Sequence, residues 1–367
     1  MAVSILALST ALPPFAFAQT EVAEKIIEML AIPSLKGEKI RELYKNSAID
    51  KRYSVIEDFK KERSDWKFWG KNFPQETPGM SQRNAVYKNE APKLAYQAAI
   101  KAIKQWGGEA KNITHIISVT CTGMVAPGLE FELMQSLKLS STTQRLGINF
   151  MGCFGAFKGI AVAQALAKEN DRHRILVVCT ELCSLHFQAA LTPDNILGNA
   201  LFSDGAAALI IGANPLPSER ILWDICHNAS LALNDTTDKM RWEAGDSGYL
   251  MKLSHTVPVL LSRQIVPFIE TLLDQRVSQA DCDWAIHPGG KSIIQAVQKA
   301  LKIDKKETIA SWDTLANYGN MSSATFLFVL ERLLELKSTK KWTVGVGFGP
   351  GLSIEGLLLK RVHTNEE

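Results

Sequence analysis

The amino-acid sequence predicts an α/β fold built from two similar halves, each with a helix buried at its centre. Residues 154–167 and 321–336 form two long runs with almost no polar face, and a helix that is apolar on every side has to be buried. A glycine step leads into each run, Gly152-Cys153 in the first and Gly319-Asn320 in the second. Short apolar runs around both predict strands covered on two faces. This repeated order indicates a duplicated layered fold.

The first half, residues 1–215, opens with an apolar run over residues 3–18. No Lys or Arg precedes this run and Pro13-Pro14 interrupts it, so we predict a strand and a loop in preference to a secretion signal. Helical periodicity begins at Glu21, residues 63–83 are predicted to form a covering loop, and an amphipathic helix is predicted over 91–106. Strands are predicted at 113–120, 174–179 and 206–211.

The second half, residues 216–367, repeats this order. Predicted strands cover 221–226, 284–286, 343–347 and 352–359, and a helix covers 257–273. A glycine-rich turn, Gly347-Phe348-Gly349-Pro350-Gly351, joins the last two strands. The boundary between the halves is predicted near residues 214–219.

Composition and charge exclude several classes of protein. The net charge is only +3 and no run of five or six like charges occurs, which argues against a nucleic-acid binder. No segment reaches the roughly 18 apolar residues of a membrane span. The six cysteines form no CxxC pair and no zinc-type spacing, so we predict reduced thiols in a cytoplasmic protein that binds no metal.

Cys153 is the candidate nucleophile. It lies at the entrance to the first buried helix, where the helix dipole and the unpaired N–H groups favour a thiolate. The small side chains of Gly152 and Gly155 leave room for a bulky substrate. A lone cysteine in such a run is more often a small buried hydrophobe, and the residues that accompany it therefore decide between the two interpretations.

His287 and Asn320 are the candidate partners of this thiol. His287 ends a predicted strand before Pro288-Gly289-Gly290, a position at which α/β sheets place ligands, although a lone histidine is more often structural. Asn320 opens the second buried helix, where the usual role of Asn is an N-cap. Together, a thiol that accepts an acyl group and two neutral donors that face a thioester oxygen would suit condensation through an enolate.

These motifs resemble those of the type III polyketide synthases, the relatives of chalcone and stilbene synthase in the thiolase superfamily. The resemblance covers nearly the whole chain and implies a thiolase-like αβαβα layered fold, with Cys153, His287 and Asn320 as the catalytic triad. It also implies a homodimer in which Ala126-Pro127 lies near the partner's active site. Five motifs carry it, namely Gly152-Cys153-Phe154, Leu201-Phe202-Ser203-Asp204-Gly205-Ala206, His287-Pro288-Gly289-Gly290, Tyr318-Gly319-Asn320-Met321-Ser322-Ser323 and Gly347-Phe348-Gly349-Pro350-Gly351.

The resemblance implies further site residues. Phe202 matches the family's aromatic gatekeeper between the CoA tunnel and the cavity, and Met251 aligns with a second gatekeeper that is usually Phe. Lys39, Arg41 and Lys45 fall where the family places cations for the CoA phosphates, although a charge run is commonly just a solvated face. The remaining implied residues are Cys121, Thr122, His186, Trp242, Ser322, Gly347, Phe348 and Gly349 in the substrate pocket and Gly289 and Gly290 in the CoA site.

The implied reaction loads a starter acyl-CoA on Cys153 and extends it by decarboxylative Claisen condensation with malonyl-CoA, releasing a pyrone or a cyclised phenolic. The CoA thioesters are substrates, and no cofactor is expected. His186 and Trp242 are bulkier than the Thr and Gly common in plant members, so we expect a triketide or tetraketide. Cys121 and Ala126 could instead open a tunnel for an alkyl starter.

Two alternatives are a ketoacyl synthase III and a non-catalytic acyl-CoA-binding homologue. Ketoacyl synthase III carries His-Gln-Ala-Asn where this chain has His287-Pro288-Gly289-Gly290, and it lacks the glycine motif at 347–351. A non-catalytic homologue would keep the fold without turnover, and the intact set of Cys153, His287 and Asn320 argues against it.

Overall fold

The structure is a computed structural model that describes residues 1–275 and 277–362. Its first half alternates strands and helices, joined by loops and short 3-10 turns. In chain order these elements are β1 (Val3–Ala11), β2 (Phe15–Ala18), α1 (Gln19–Met29), α2 (Ser34–Lys45), β3 (Lys51–Ser54), α3 (Met80–Trp106), β4 (His115–Thr120), α4 (Leu129–Ser136), β5 (Gln144–Asn149), α5 (Gly155–Glu169), β6 (Arg174–Leu182), α6 (Pro193–Leu201) and β7 (Asp204–Ala213).

The second half begins after a connection that contains the predicted boundary at 214–219. Its elements are β8 (Trp223–Ala232), β9 (Met240–Gly245), β10 (Gly248–Leu253), α7 (Val257–Leu273), β11 (Cys282–Ile286), α8 (Lys291–Leu301), α9 (Ile309–Tyr318), α10 (Thr325–Glu335), β12 (Trp342–Gly349) and β13 (Ser353–Arg361). None of the helices in the two described ranges is long and apolar enough to cross a membrane.

The two halves share one strand topology. The nine-stranded sheet has the order β11-β12-β13-β8-β1-β7-β6-β4-β5. In the first half β4 runs parallel to β6, β6 antiparallel to β7, and β7 antiparallel to β1. In the second half β11, β12, β13 and β8 follow the same sequence of parallel and antiparallel pairings. The predicted duplication is confirmed, and a short pairing of β1 with β8 joins the halves.

The layers follow from the alternation of side chains along the buried strands. On β6, Ile175 and Val177 face the core that contains α5 and α10, whereas Leu176 and Val178 face the core that contains α3. In the second half, α7 packs on the outer face of β8 and β13. The fold therefore has helices outside both parts of the sheet and α5 and α10 buried between them.

Equivalent loops of the two halves lead to one place in the molecule. The turn before α5 carries Cys153, and the segment before α10 carries Asn320. Cys121 is the residue that follows β4, and His287 is the residue that follows the corresponding strand β11. The duplication thus pairs Cys153 with Asn320 and Cys121 with His287 by position in the fold.

The elements that were predicted differ from the observed ones mainly at their ends, whereas several observed elements were not predicted, among them the helices α2, α4, α6, α8 and α9. The helix predicted over 91–106 begins at Met80 and continues through Pro92. The strand β5 was not predicted, because its residues are mostly exposed and lack an apolar pattern. Residues 347–349, predicted as part of a turn, are the last residues of β12.

Candidate active site

Cys153, His287 and Asn320 line one cavity with a volume of about 440 Å³. The cavity opens between the two halves of the chain, at the loops that the duplication makes equivalent. His287 is fixed there by its backbone, whose N–H donates to the carbonyl of Val346 at 2.8 Å. The structure therefore brings together the three residues that the sequence predicted as a triad.

The side chain of Asn320 is held in one orientation. Its Oδ1 accepts the N–H of Ser322 at 2.8 Å and the hydroxyl of Thr325 at 3.3 Å. Its Nδ2 lies 3.4 Å from the carbonyl of Gly289 and 3.9 Å from Sγ of Cys153. Oδ1 of Asn320 lies 4.0 Å from the same sulfur. Because this oxygen already accepts from two donors, the N–H₂ group is the part of the amide that can donate to a ligand oxygen beside the thiol.

The imidazole of His287 is buried and unpaired. The residue is 1% exposed, and within the described ranges neither ring nitrogen has a hydrogen-bond partner. Burial lowers the pKa of His287 to about 3, so the ring is neutral at physiological pH. A buried polar group without a partner is costly, and the position of His287 on the cavity wall makes its ring available to a bound ligand.

The thiol of Cys153 is protonated in the free protein. Burial raises the pKa of Cys153 to about 11, although hydrogen bonds from Ser322 and Asn320 act to lower it. The helix dipole had predicted a thiolate at this position. Loss of hydration favours the protonated thiol, which acts against the effect expected from the helix dipole.

Three bulky side chains divide this cavity from a smaller one of about 70 Å³. Phe202, Trp242 and Met251 line both cavities, and the rings of Phe202 and Trp242 have centroids 6.3 Å apart. Trp242 is anchored because its Nε1 donates to the carbonyl of Cys121 at 2.7 Å. His186 stands in the smaller cavity, with its Nε2 2.8 Å from the carbonyl of Thr122.

Most predicted pocket residues lie on the wall of the larger cavity. Phe348 is one of them, although its neighbours Gly347 and Gly349 are not. Those two glycines instead admit aromatic rings, since a Cβ would lie 2.3 Å from the Phe157 ring at Gly347 and 2.5 Å from the Phe154 ring at Gly349. The predicted residues that line the cavity are Cys121, Thr122, Cys153, Phe202, Trp242, Met251, His287, Gly289, Gly290, Asn320, Ser322 and Phe348.

The predicted phosphate-binding cations lie outside the cavity, on the exposed side of α2. Lys39 is one helical turn from Leu43, which lines the cavity, and so shares its face of the helix. Arg41 is engaged elsewhere, because its Nε lies 2.6 Å from the Glu24 carboxylate. Lys45 is exposed at the end of the helix.

Sequence reasoning missed several residues of the site. Cys183 lines both cavities, and Lys291 and His255 stand on the wall of the larger one. Glu181 is fully buried behind the cavity, where it accepts hydrogen bonds from Thr122 and Ser323. Lys291 directly follows the motif that begins at His287, so its position beside the cavity could have been predicted from the sequence. The others lack a local signal, because distant segments bring them to the site.

Comparisons with known proteins agree with this geometry. The family model of chalcone and stilbene synthases matches with its N-terminal domain over residues 2–215 and its C-terminal domain over residues 225–363. Probable polyketide synthase 1 of Dictyostelium discoideum is 34% identical over 365 residues, which are 98% of this chain and 11% of that protein. Type III polyketide synthase C of Arabidopsis thaliana is 30% identical over 371 residues, 98% of this chain and 95% of that protein.

A solved structure shares both the fold and the sequence pattern. It is the crystal structure of the C-terminal type III polyketide synthase domain of Steely1, a type I/III hybrid from Dictyostelium. The two chains superimpose with a TM-score of 0.93 at 34% identity, over 99% of this chain and 100% of that one. The similarity therefore extends over the whole architecture, including both buried helices.

Proposed function

The chain belongs to the chalcone and stilbene synthase family of type III polyketide synthases, and we propose that it builds a short polyketide on Cys153 from a starter acyl-CoA and malonyl-CoA. The single observation that carries this proposal is the meeting of a thiol, an unpaired neutral imidazole and an oriented carboxamide on one cavity. CoA thioesters serve as the substrates, and the reaction as proposed uses no cofactor.

Loading is the first step. The thiol of Cys153 attacks the carbonyl of the starter thioester, the C–S bond to CoA breaks, and CoA leaves as a thiol. His287 is assigned as the base of this step, because its ring can take the thiol proton as the sulfur bonds to the carbonyl and return it to the leaving sulfur, so that no free thiolate has to form first. The buried ring has no competing partner among the described residues.

Extension follows on the same site. Malonyl-CoA loses CO₂ when the bond to its carboxylate breaks, and the electron pair stays on an enolate whose oxygen faces His287 and Asn320. Two neutral hydrogen-bond donors stabilise the negative charge of the enolate without forming an ion pair with it. The enolate carbon attacks the acyl group, the C–S bond to Cys153 breaks, and the thiolate that is released can reload the extended chain.

The smaller cavity limits the length of the product. Trp242 lies between the two cavities and His186 lines the smaller one, with the centroids of their rings 5.8 Å apart. Packed aromatic side chains move only at a cost. We infer that few extensions fit, which favours a triketide or tetraketide released as a pyrone or a cyclised phenolic.

The CoA moiety is assigned to the mouth of the larger cavity. Lys39 lies one helical turn from Leu43, which lines the cavity, and Lys291 lines the cavity at the start of α8. Both can meet phosphate charges. Arg41 would have to leave Glu24 to do so, and Lys45 stays a prediction from the resemblance. Gly289 and Gly290 leave space beside the pantetheine arm.

We further infer a homodimer. The strand β5 forms an end of the described sheet and pairs only with β4 there, so its outer edge is open. Leu146 on this strand is 42% exposed, Met151 two residues after it is 40% exposed, and Met124 in the loop after β4 is 62% exposed. Two copies that pair at this edge would bring Ala126-Pro127 close to the partner's cavity. A cytoplasmic location stays a prediction; the six free thiols fit a reducing compartment.

The test is an assay with acyl-CoAs of graded chain length and labelled malonyl-CoA, followed by mass spectrometry of the products. The proposal expects polyketides that need both substrates and disappear in Cys153→Ala. A protein that binds acyl-CoA but releases no CO₂ from malonyl-CoA would be the non-catalytic homologue. Activity that required an acyl carrier protein as the malonyl donor would favour the ketoacyl synthase alternative.

A further inference from the structure

The end of helix α6 is held by groups from outside the helix. The last carbonyls of a helix have no partner within it, and here each finds a donor from a distant segment. Arg52 Nη1 donates to the carbonyls of Asn199 at 2.7 Å and Phe202 at 2.8 Å, Gln19 Nε2 donates to Ala200 at 2.8 Å, and the Asn320 N–H donates to Leu201 at 2.9 Å. Four successive carbonyls are therefore fixed.

Arg52 is the centre of this arrangement, and it is itself held rigidly. It is 7% exposed, its Nε donates to Oε1 of Gln19 at 2.7 Å, and its guanidinium lies 5.6 Å from the centre of the Tyr44 ring. A cation at a helix C-terminus also complements the helix dipole. The planar fork of Arg can satisfy these acceptors together, which the single ammonium of Lys cannot do.

The segment that Arg52 holds carries one part of the proposed active site, Phe202, and pairs through its backbone with another, Asn320. The side chain of Phe202 divides the two cavities. The backbone on both sides of it pairs with Asn320, whose N–H donates to Leu201 and whose carbonyl accepts the N–H of Ser203 at 2.9 Å. A movement of this segment would shift the dividing ring and the carboxamide together.

Arg52 also touches the chain just before Asn320. Gly319 has a φ of 68°, and a Cβ there would lie 3.0 Å from Cγ of Arg52 and 3.0 Å from the carbonyl of Leu201. A left-handed backbone with no side chain is what allows this approach. The arginine is thus packed between the segment 201–203 and the segment that positions Asn320.

We propose that Arg52 is a positioning residue that keeps Phe202 and Asn320 in register, so that decarboxylation of the extender is coupled to carbon–carbon bond formation. The proposal rests on the proposed function. The enolate left by decarboxylation has two fates: its carbon attacks the acyl group on Cys153, or it takes a proton from water and leaves as acetyl-CoA. Attack on the acyl group requires that group to be aligned with the enolate carbon, and it requires Phe202 to keep the two cavities separate. Errors of about 1 Å in this alignment can cost up to roughly a hundredfold in rate.

The experiment measures the ratio of CO₂ released to carbon–carbon bonds formed, with ¹⁴C-malonyl-CoA and a fixed starter. Arg52→Met keeps the length of the side chain without its donors, and it is expected to raise this ratio about tenfold or more. Arg52→Lys keeps the charge without the fork, and it is expected to give an intermediate ratio. Both variants are compared with wild type at equal concentrations of folded protein.

Arg174→Met is the matched control. Arg174 is a buried arginine, 5% exposed, that binds Glu219 at the start of β6. The cavity lies beyond the other end of that strand at Cys183, about 30 Å away at the usual rise per residue. Like Arg52→Met, this variant loses the hydrogen bonds of a buried arginine and should be less stable than wild type. Its ratio of CO₂ released to carbon–carbon bonds formed should nevertheless equal that of wild type.

A wild-type ratio in folded Arg52→Met, or a raised ratio in Arg174→Met of the same size, would overturn the inference. If Arg52→Met does not fold, the same ratio is measured in Gln19→Met, which removes the donor to Ala200 and the acceptor of Arg52 Nε. The inference then expects a raised ratio in Gln19→Met, and a wild-type ratio would overturn it. A wild-type protein that forms no carbon–carbon bond would instead defeat the proposed function, so the two failures are distinguishable.

Discussion

Asn320 and His287 differ in how the protein holds their polar atoms. The oxygen of Asn320 is occupied by Ser322 and Thr325, whereas both ring nitrogens of His287 lack partners within the described residues. The carboxamide is therefore oriented in advance, and the imidazole is free to meet substrate. Each contributes a donor in the proposed enolate step, and removal of either should affect that step more than binding.

Asn320→Ala is expected to lower malonyl-CoA decarboxylation by about 10² to 10³-fold, because it removes one preorganised donor to the enolate. The rate of ¹⁴CO₂ release measures this directly. The control is Asn317→Ala, three residues earlier, whose exposed side chain donates to the carbonyl of Asp313. Wild-type turnover in Asn320→Ala would reduce Asn320 to a helix cap.

Trp242→Gly is expected to lengthen the product by at least one extension with a fixed starter. The indole separates the two cavities, and its removal joins them into one space. Product mass spectra provide the measurement, and Trp242→Phe, which keeps most of the volume, should leave the product length closer to wild type. An unchanged profile in a folded Trp242→Gly variant would mean that the indole only packs.

Sequence reasoning found the residues that combine a reactive group with a distinctive local setting. Cys153, His287 and Asn320 each lie within two residues of a glycine and at the end of an element, and the structure brings them to one cavity. Gly347 and Gly349 have the same local character, but they make room for Phe157 and Phe154. A glycine motif does not state which neighbour needs the space, so only the structure separates these cases.

Among the elements, those with a full apolar pattern were predicted most accurately. The helix α7 was predicted with its observed ends, and the buried helices were predicted within a few residues. The edge strand β5 and the hairpin of β9 and β10 were missed. The side chains of β5 are largely exposed and those of β9 and β10 are mostly half-buried or exposed, so tertiary pairing, and not hydrophobic periodicity, determines their structure.

The strand β6 depends on a buried ion pair at its start. Arg174 and Glu219 have side chains 7% and 5% exposed and lie 2.7 Å apart. Burial acts to raise the pKa of Glu219, but hydrogen bonds from Arg174, the Leu216 N–H and Trp106 outweigh it, and the pKa lies below its ordinary value of 4.5. The charged carboxylate therefore stabilises the fold above that pH, and this contribution is lost as the pH falls below it.

Glu219→Gln is expected to lower the free energy of unfolding by about 3 kcal/mol at pH 7, because it leaves Arg174 buried without its counter-ion. Denaturant titration at several pH values measures the effect, and the difference from wild type should shrink as the pH falls below 4.5. Glu335→Gln is the control, since its exposed pair with Arg332 should contribute less than about 1 kcal/mol. Equal losses in the two variants would contradict this account.

At the scale of the whole molecule, the open edge of β5 is the feature that a single chain leaves unexplained. Exposed strand edges pair with other chains unless they are blocked, and Leu146 adds an apolar side chain to this edge. We expect a dimer at micromolar concentration by light scattering. Leu146→Glu should shift the mass towards a monomer, because two like charges would oppose each other near the two-fold axis.

Leu216→Glu is the control for the dimer prediction. Leu216 is 58% exposed in the connection between β7 and β8, away from the edge of β5. This variant should keep the mass of wild type. A wild-type protein that is monomeric, or a Leu146→Glu variant that dimerises as wild type does, would contradict pairing at the β5 edge.

The most direct test of the central claim is to locate the acyl group after a short pulse with a labelled starter acyl-CoA. Intact-protein and peptide mass spectrometry should place one acyl adduct on Cys153, and the adduct should disappear in Cys153→Ala. Subsequent malonyl-CoA should remove it as product forms. An adduct on Cys121 or Cys183, the other thiols of the larger cavity, or product formation without any adduct, would contradict the account.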